Sequence, residues 1–312
     1  MTVIALSGGV GGAKLALGLS RVLPGDDLLV IANTGDDFEH LGLCISPDID
    51  TVMYTLAGLA NRELGWGRHD ETWSFMETLE TVGGETWFRL GDRDLAVHVE
   101  RTRRLRAGES LSAITADLCR RLGVGPRVLP MSDDPVRTRV RTDEGWIDFQ
   151  DYFVRRRCEP VVHELAFHGA EAARAHPDFM AALTDPALKA VVICPSNPFI
   201  SIEPILALPG VRDALAQCAA PVIAVSPIIG GRAVKGPTAK MMTEFGTTPS
   251  ASAVAHRYAD LIDGYVVDFA DMDQVAAIGP RVTLGQTMMT TLADREALAR
   301  TVLGAAGVLR RD

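Results

Sequence analysis

No two cysteines in this sequence stand at a spacing that binds zinc or runs thiol exchange. Cys44, Cys119, Cys158, Cys194 and Cys218 are scattered and odd in number. That argues against a disulfide frame and for reduced thiols in the cytoplasm. A basic excess is also missing. The formal net charge of −9 excludes a general nucleic-acid binder with a basic face, while leaving room for a locally positive nucleotide site. Long apolar runs are absent too: nothing approaches the ~18–20 residues that cross a bilayer. The opening "VIALSG" has no basic segment before it and is too short for a signal-peptide core. There is no G-x-S-x-G, no H-E-x-x-H and no kinase-type H-R-D loop, and His163, His168 and His176 follow no ligand pattern. Aromatic residues make up only 6% of the chain. These absences leave the expectation of a soluble cytoplasmic enzyme, with 312 residues to bury one large core.

Continuous apolar runs alternate with helical spacing. Thr2–Leu6 reads as a buried strand, and Gly12–Leu23 as a helix with Leu15, Leu19, Val22 and Leu23 on one face, stopped by Pro24 and Gly25. "DLLVIAN" (27–33) is a second strand, and "AVVICPS" (190–196), "PVIAVSP" (221–227) and "GYVVDF" (264–269) repeat the pattern. Such strands, separated by helices, predict a Rossmann-like, doubly wound, mainly parallel α/β sheet. The wide gap after the second strand predicts an insertion at about 50–168 within a single domain of residues 1–312. Its first part reads helical, in "DTVMYTLAGLANRELG", "DETWSFMETLETVG" and "SLSAITADLCRRLG". Its second part alternates polar and apolar residues about Glu144-Gly145, which predicts a hairpin.

Five stretches carry candidate chemistry. In "SGGVGGAK", Gly8, Gly9, Gly11, Gly12 and Lys14 lie between strand and helix, where free N–H groups and a cation can hold a phosphate. The stretch fits neither the P-loop pattern nor the complete dinucleotide pattern, and a merely tight βα turn is the alternative. In "NTGDDFEHLGLCISPDIDT" (33–51), Asp36, Asp37, Asp48 and Asp50 crowd after the second strand. A cation would explain the crowding; solvated acids, with Asp50 capping a helix, are the alternative. "WFRLGDRDLAVH" (87–98) offers Arg89 among acids, as a phosphate or carbonyl contact or as a surface ion-pair cluster. "CPSNPFISIEPIL" places Ser196 and Asn197 between two prolines at a strand end, a rigid polar loop suited to ligand contact. "SPIIGGRAVKGPTAKMM" interleaves Gly230, Gly231 and Gly236 with Arg232, Lys235 and Lys240, as an anion cradle or a basic surface loop. Trp66, Trp73 and Trp87 cluster in the insertion, either lining a pocket for a flat ligand or packing a core.

Taken together, "SGGVGGAKL", "NTGDDFEHLGL", "ISPDIDTVMYTLAGL", "WGRHDETW", "LGDRDLAVH", "LPMSDDPVRT", "SNPFISIEPILALPG" and "SPIIGGRAVKGP" resemble the 2-phospho-L-lactate transferase family, with its phosphoenolpyruvate transferase branch, of coenzyme F-420 biosynthesis. The motifs run in order across nearly the whole chain; the last ~50 residues match least distinctively. The resemblance implies transfer of a phospholactyl or phosphoenolpyruvyl group from a guanosine-diphosphate-linked donor to the deazaflavin 7,8-didemethyl-8-hydroxy-5-deazariboflavin, with release of GMP. Under it, Gly8–Gly12, Lys14, Ser196, Asn197, Gly230, Gly231 and Lys235 hold the donor, and Asp50 and Arg89 contact the deazaflavin. Asp36 or Asp37, with Asp50, hold Mg2+, or one of these aspartates, with Asp36 and Asp50 the catalytic candidates, serves instead as general base. A homodimer is the expected assembly; no nucleic-acid or membrane partner is expected. One rival is a non-catalytic or regulatory nucleotide-sugar-type binding protein of the same fold. Another is an NAD(P)-dependent oxidoreductase, weakened because the second strand closes on Asn33 rather than on an acid.

Overall fold

Seven short runs assemble into one parallel sheet: β1 (Thr2–Ser7), β2 (Leu28–Ala32), β3 (Arg127–Pro130), β4 (Leu188–Ile193), β5 (Val222–Val225), β6 (Gly264–Asp268) and β7 (Arg281–Gly285). The structure is a computed structural model and describes residues 2–61, 63–279 and 281–308. The sheet order is β7-β6-β5-β4-β1-β2-β3, with every neighbouring pair parallel. Successive side chains of one strand feed opposite cores. Ile4 and Leu6 pack with Ile31, Val191 and Ile193 on one face; Val3 and Ala5 pack with Leu15, Leu19, Val30 and Val192 on the other. Burial on both faces is why these strands read as unbroken apolar runs.

The chain builds outward from β1 to β3, then returns to the other side of β1 with β4. The order therefore reverses between β1 and β4, and open α/β sheets bind ligands in the crevice at such a switch, at the carboxyl ends of the strands. The loops after β1, β2 and β4 carry the glycine, aspartate and Ser-Asn motifs to this edge.

Helix α1 (Gly9–Val22) begins three residues earlier than its periodicity predicts, so Gly9, Gly11 and Gly12 belong to its first turn. Between β2 and β3 lie a small hairpin (Phe38–His40 with Leu43–Ile45) and helices α2 (Pro47–Leu56), α3 (Ser74–Thr81), α4 (Asp92–Arg106) and α5 (Leu111–Arg121). A separate small core of Ile45, Met76 and Leu90, joined by Phe38, Trp73 and Phe88, holds part of this lobe together. The stretch 50–168 is interrupted by β3, which pairs with β2 in the central sheet. After β3 comes a three-stranded antiparallel sheet in the order Gly145–Asp148, Arg137–Thr142, Glu164–His168. The expected hairpin is there, with Thr142 paired to Gly145.

All five cysteines are free thiols. Among the described residues, no helix is long and apolar enough to cross a membrane.

Candidate active site at the sheet switch point

The loops after β1 and β4 are clasped to each other. The Gly8 N–H donates to Ser196 Oγ (3.1 Å), and that hydroxyl donates back to the Gly8 carbonyl (2.7 Å). The glycines make this approach feasible. A Cβ on Gly11 would collide with the Pro195 carbonyl oxygen, and one on Gly12 with the hydroxyls of Ser196 and Ser7. Gly9 adopts φ +61°, a left-handed conformation that glycine alone enters freely. Asn197 caps the next turn, its Oδ1 accepting from the Phe199 N–H at 2.9 Å.

The start of α1 is not an open anion site. The Gly9 N–H donates to Asp48 Oδ1 (2.5 Å). Asp48 stands at the second position of α2, after Pro47, whose fixed φ suits a first helical turn. Its other oxygen accepts from Asn33 Nδ2 (2.9 Å), which also reaches Asp36 Oδ1 at 3.4 Å. Two buried carboxylates thus converge on one neutral amide. Burial, then the nearby charge of Asp48, pushes the Asp36 carboxyl well above its ordinary range. Burial likewise raises Asp48 to about 6, against hydrogen bonds from Asn33, Gly9 and Ser201.

A second acid pair lies behind the first and is differently served. Arg101 of α4, fully buried, donates from both terminal nitrogens to the two oxygens of Asp50. Arg101 Nη1 also approaches His98 Nδ1 (3.2 Å), whose Nε2 faces Asp94 (3.2 Å); Asp94 accepts from the Tyr54 hydroxyl at 2.6 Å. Asp50, Asp94 and His98 are close enough to hold a metal together. The guanidinium already supplies the positive charge there, and all three residues are buried. Asp37 accepts from Ser46 Oγ (2.9 Å) and feels Arg137 and Arg101; burial outweighs them and raises it to about 7.

In front of Asp36 and Asp48 opens a cleft of about 840 Å³, lined by residues from almost every loop at the carboxyl edge of the sheet. Lys14, Arg89, Arg157 and Lys235 border it, and Trp66, Trp87, Phe88, Phe149 and Phe153 supply flat apolar walls. Lys14 Nζ donates to the Met289 carbonyl (3.0 Å); burial, with Arg295 and Lys235 nearby, lowers its pKa. Lys235 Nζ donates to the Leu64 carbonyl across the opening (3.1 Å). The Arg89 guanidinium stacks 4.3 Å from the Trp73 ring centroid. Acids on the floor, cations around them and aromatic faces beside them suit a phosphate-bearing ligand next to a planar one.

The family model described as 2-phospho-L-lactate transferase CofD matches residues 3–300. The chain belongs to the CofD family. A phosphoenolpyruvate transferase of Kitasatospora aureofaciens is 44% identical over 320 residues, covering 99% of both chains. A 2-phospho-L-lactate transferase of Methanosarcina mazei is 38% identical, covering 97% of this chain and all of that one. A crystal structure of a UPF0052 family member from Bacillus halodurans superposes with TM-score 0.65 over 97% of this chain and 98% of that one, at 14% identity. That likeness concerns the fold.

In this CofD-family chain the cleft gathers Gly8, Gly9, Gly11, Lys14, Asp36, Arg89, Ser196, Asn197 and Lys235 from the motifs singled out in the sequence. Other expected residues fall elsewhere. Gly12 lies beneath the cleft, against Ser7 and Ser196. Gly230 and Gly231, with φ +56° and +73°, form the tight turn of the hairpin Ile228–Ile229 with Arg232–Ala233 rather than a cleft wall. Trp73 sits behind Arg89. Asp37 and Asp50 do not line the cleft. Asp50 does not cap α2 either: Ser46 holds the cap position, and Asp50 lies inside the first turn. Asp48, counted among the four crowded acids but given no role of its own, is the second acid of the cleft. Its signal was present in "SPDID": the residue after a proline at the start of a helix lies at the helix mouth, whereas the acid two positions on turns away.

Proposed function

We propose that the chain transfers a phosphoenolpyruvyl or phospholactyl group in coenzyme F-420 biosynthesis, from a guanosine-diphosphate-linked donor to the 5′-hydroxyl of the deazaflavin 7,8-didemethyl-8-hydroxy-5-deazariboflavin. The observation that carries this reading is the buried Asp36–Asp48 pair at the floor of a cation-rimmed, aromatic-walled cleft. Membership of the CofD family and the names of the relatives above support it.

The donor set fits a divalent cation. Two carboxylates with raised pKa converge on a single amide donor, with no cation paired to either among the described residues. Magnesium favours one or two carboxylates completed by water and phosphate oxygens. Asp36, already expected from sequence, would hold it with Asp48, in place of Asp37 and Asp50. Bound there, it would neutralise charge on the diphosphate.

The chain's own groups account for the remaining work. The acceptor hydroxyl oxygen attacks the phosphorus that carries the organic group. A new P–O bond forms, the bond from that phosphorus to the bridging oxygen breaks, and GMP leaves with the electron pair. The hydroxyl proton is released to water in the open cleft, and a cation held by Asp36 and Asp48 would favour that release by lowering the hydroxyl pKa. Lys14 and Lys235 attract the donor phosphates, and Arg89 with the tryptophans orients the flat acceptor. In phosphoryl transfer such positioning and charge neutralisation do most of the work.

The test supplies the deazaflavin, each guanylated donor and magnesium to the purified protein and follows GMP. Release that depends on both acceptor and donor is the expected result. No release with any donor overturns the reading.

A further inference from the structure

Three arginines follow one another in "YFVRRRCEP" (152–160), and their surroundings differ. Arg155 faces Glu85 (3.8 Å) and Asp151 (3.7 Å) and lies over the Trp87 ring. Arg156 is bound by Glu144 (2.5 Å) and Asp151 (2.9 Å). Arg157 has no acid partner among the described residues, and it alone of the three lines the cleft.

Its backbone is held in an unusual state. Residues Asp151–Arg155 form a single π-helical turn, closed by Arg156 N–H to the Asp151 carbonyl at 2.8 Å. Arg157 and Cys158 then adopt φ +51° and +59°, two consecutive non-glycine residues in the left-handed region. Such residues are energetically costly and persist where the surroundings fix them. Here the fixing bonds are Cys158 N–H to the Tyr152 carbonyl and Glu159 N–H to the Arg156 carbonyl, both 2.9 Å, with the Tyr152 side chain fully buried beneath. The turn reverses the chain so that Arg157 parts from its paired neighbours and reaches the cleft.

Under the function proposed above, the donor brings two kinds of anion: the diphosphate, and a carboxylate on the group transferred. Tetrahedral phosphates are served by Lys14, Lys235 and the acidic floor with its cation. A planar carboxylate is matched by a guanidinium fork. Two arginines line the cleft, Arg89 and Arg157; Arg89 lies flat on Trp73 and in the function proposed above serves the acceptor, which leaves Arg157 for the donor. We propose that Arg157 recognises the carboxylate of the transferred group and so selects carboxylated donors over otherwise similar guanylated esters.

The test compares the carboxylated donor with guanosine diphosphate ethyl ester, which lacks only the carboxylate of the lactyl donor. Wild type is expected to prefer the carboxylated donor in kcat/KM. In Arg157→Gln that preference should fall by about 10- to 100-fold, the weight of one charge-assisted contact, mostly through KM. Arg157→Lys should recover part of it. Arg156→Gln, which breaks the neighbouring ion pairs, should retain the preference, so a general disturbance of the turn is told apart. GDP affinity, measured by calorimetry, should change less than about threefold in Arg157→Gln; a loss of GDP affinity equal to the loss on the carboxylated donor assigns Arg157 to the diphosphate and overturns the inference. An unchanged donor preference in Arg157→Gln overturns it as well. Wild type that uses both donors equally refutes the carboxylate assignment while upholding the transferase reading; wild type that uses neither removes both.

Discussion

Two pairs of aspartates lie within fifteen residues of sequence, and they have opposite surroundings. Asp36 and Asp48 face the cleft and share one amide donor. Asp37 and Asp50 face the interior, near Arg101 and Arg137. Proximity in sequence therefore says little about role. What separates the pairs is whether the protein itself supplies the positive charge. A buried carboxylate with its arginine in place is a structural device; a buried pair without one calls for something from outside.

That contrast can be broken most sharply at Asp48 and Asp50. Asp48→Asn should lower transfer by about 10²–10³-fold; its amide nitrogen would face one of the two donors that bond Asp48, but relief of the repulsion with Asp36 offsets that loss, so the unfolding midpoint should fall less than in the Asp50 variant. Near-wild-type turnover would refute the role of the cleft pair. Asp50→Asn, by contrast, leaves Arg101 buried without its counter-charge, and the expected loss is about 3–5 kcal/mol of stability, read by denaturant unfolding. The double replacement Asp50→Leu with Arg101→Met should recover most of that loss. Equal stabilities for the Asp50 and Asp48 variants would erase the distinction.

Acidity offers a second, smaller lever. Asp36, Asp37 and Asp48 have folded pKa values raised above their unfolded ones, Asp48 to about 6 and Asp37 to about 7. Between the unfolded and folded values the native state binds more protons than the unfolded chain, so in chelator stability should fall as pH rises from about 4 through about 7. Magnesium should raise the unfolding midpoint at pH 7.5 and leave it unmoved at pH 4.5, where the pair is protonated. Asp48→Asn should abolish the magnesium response, and a response that survives would move the cation elsewhere. The mildest change is Gly11→Ala. Its Cβ would press on the Pro195 carbonyl, and the expected loss is about 1–3 kcal/mol with the cleft distorted, seen as a lower unfolding midpoint and a raised donor KM.

The same contrast explains what could be read from the sequence. β1, β2, β4, β5 and β6 were legible because burial on both faces demands unbroken apolar runs. β3 has only four residues, Arg127–Pro130, between loop-forming glycines and prolines, and its membership of the sheet depends on pairing with β2. Helix α4 was hidden for a different reason. Its buried face is Asp94, Val97, His98, Arg101 and Thr102, so the helical period is present but only Val97 in it is apolar. A search for apolar periodicity passes over it, and without it Asp50 looked like an open ligand. The cations and tryptophans were found as motifs, but which of them border one cavity is a property of loops converging from distant sequence.

Asp48 has one more consequence, through its bond to the Gly9 N–H. A helix mouth already capped by a carboxylate opposes a diphosphate on its own. In the proposed reading a divalent cation on Asp36 and Asp48 reverses the sign of that floor, so cation and donor bind with positive coupling. The coupling is reciprocal: the factor by which magnesium tightens the nucleotide must equal the factor by which the nucleotide tightens magnesium.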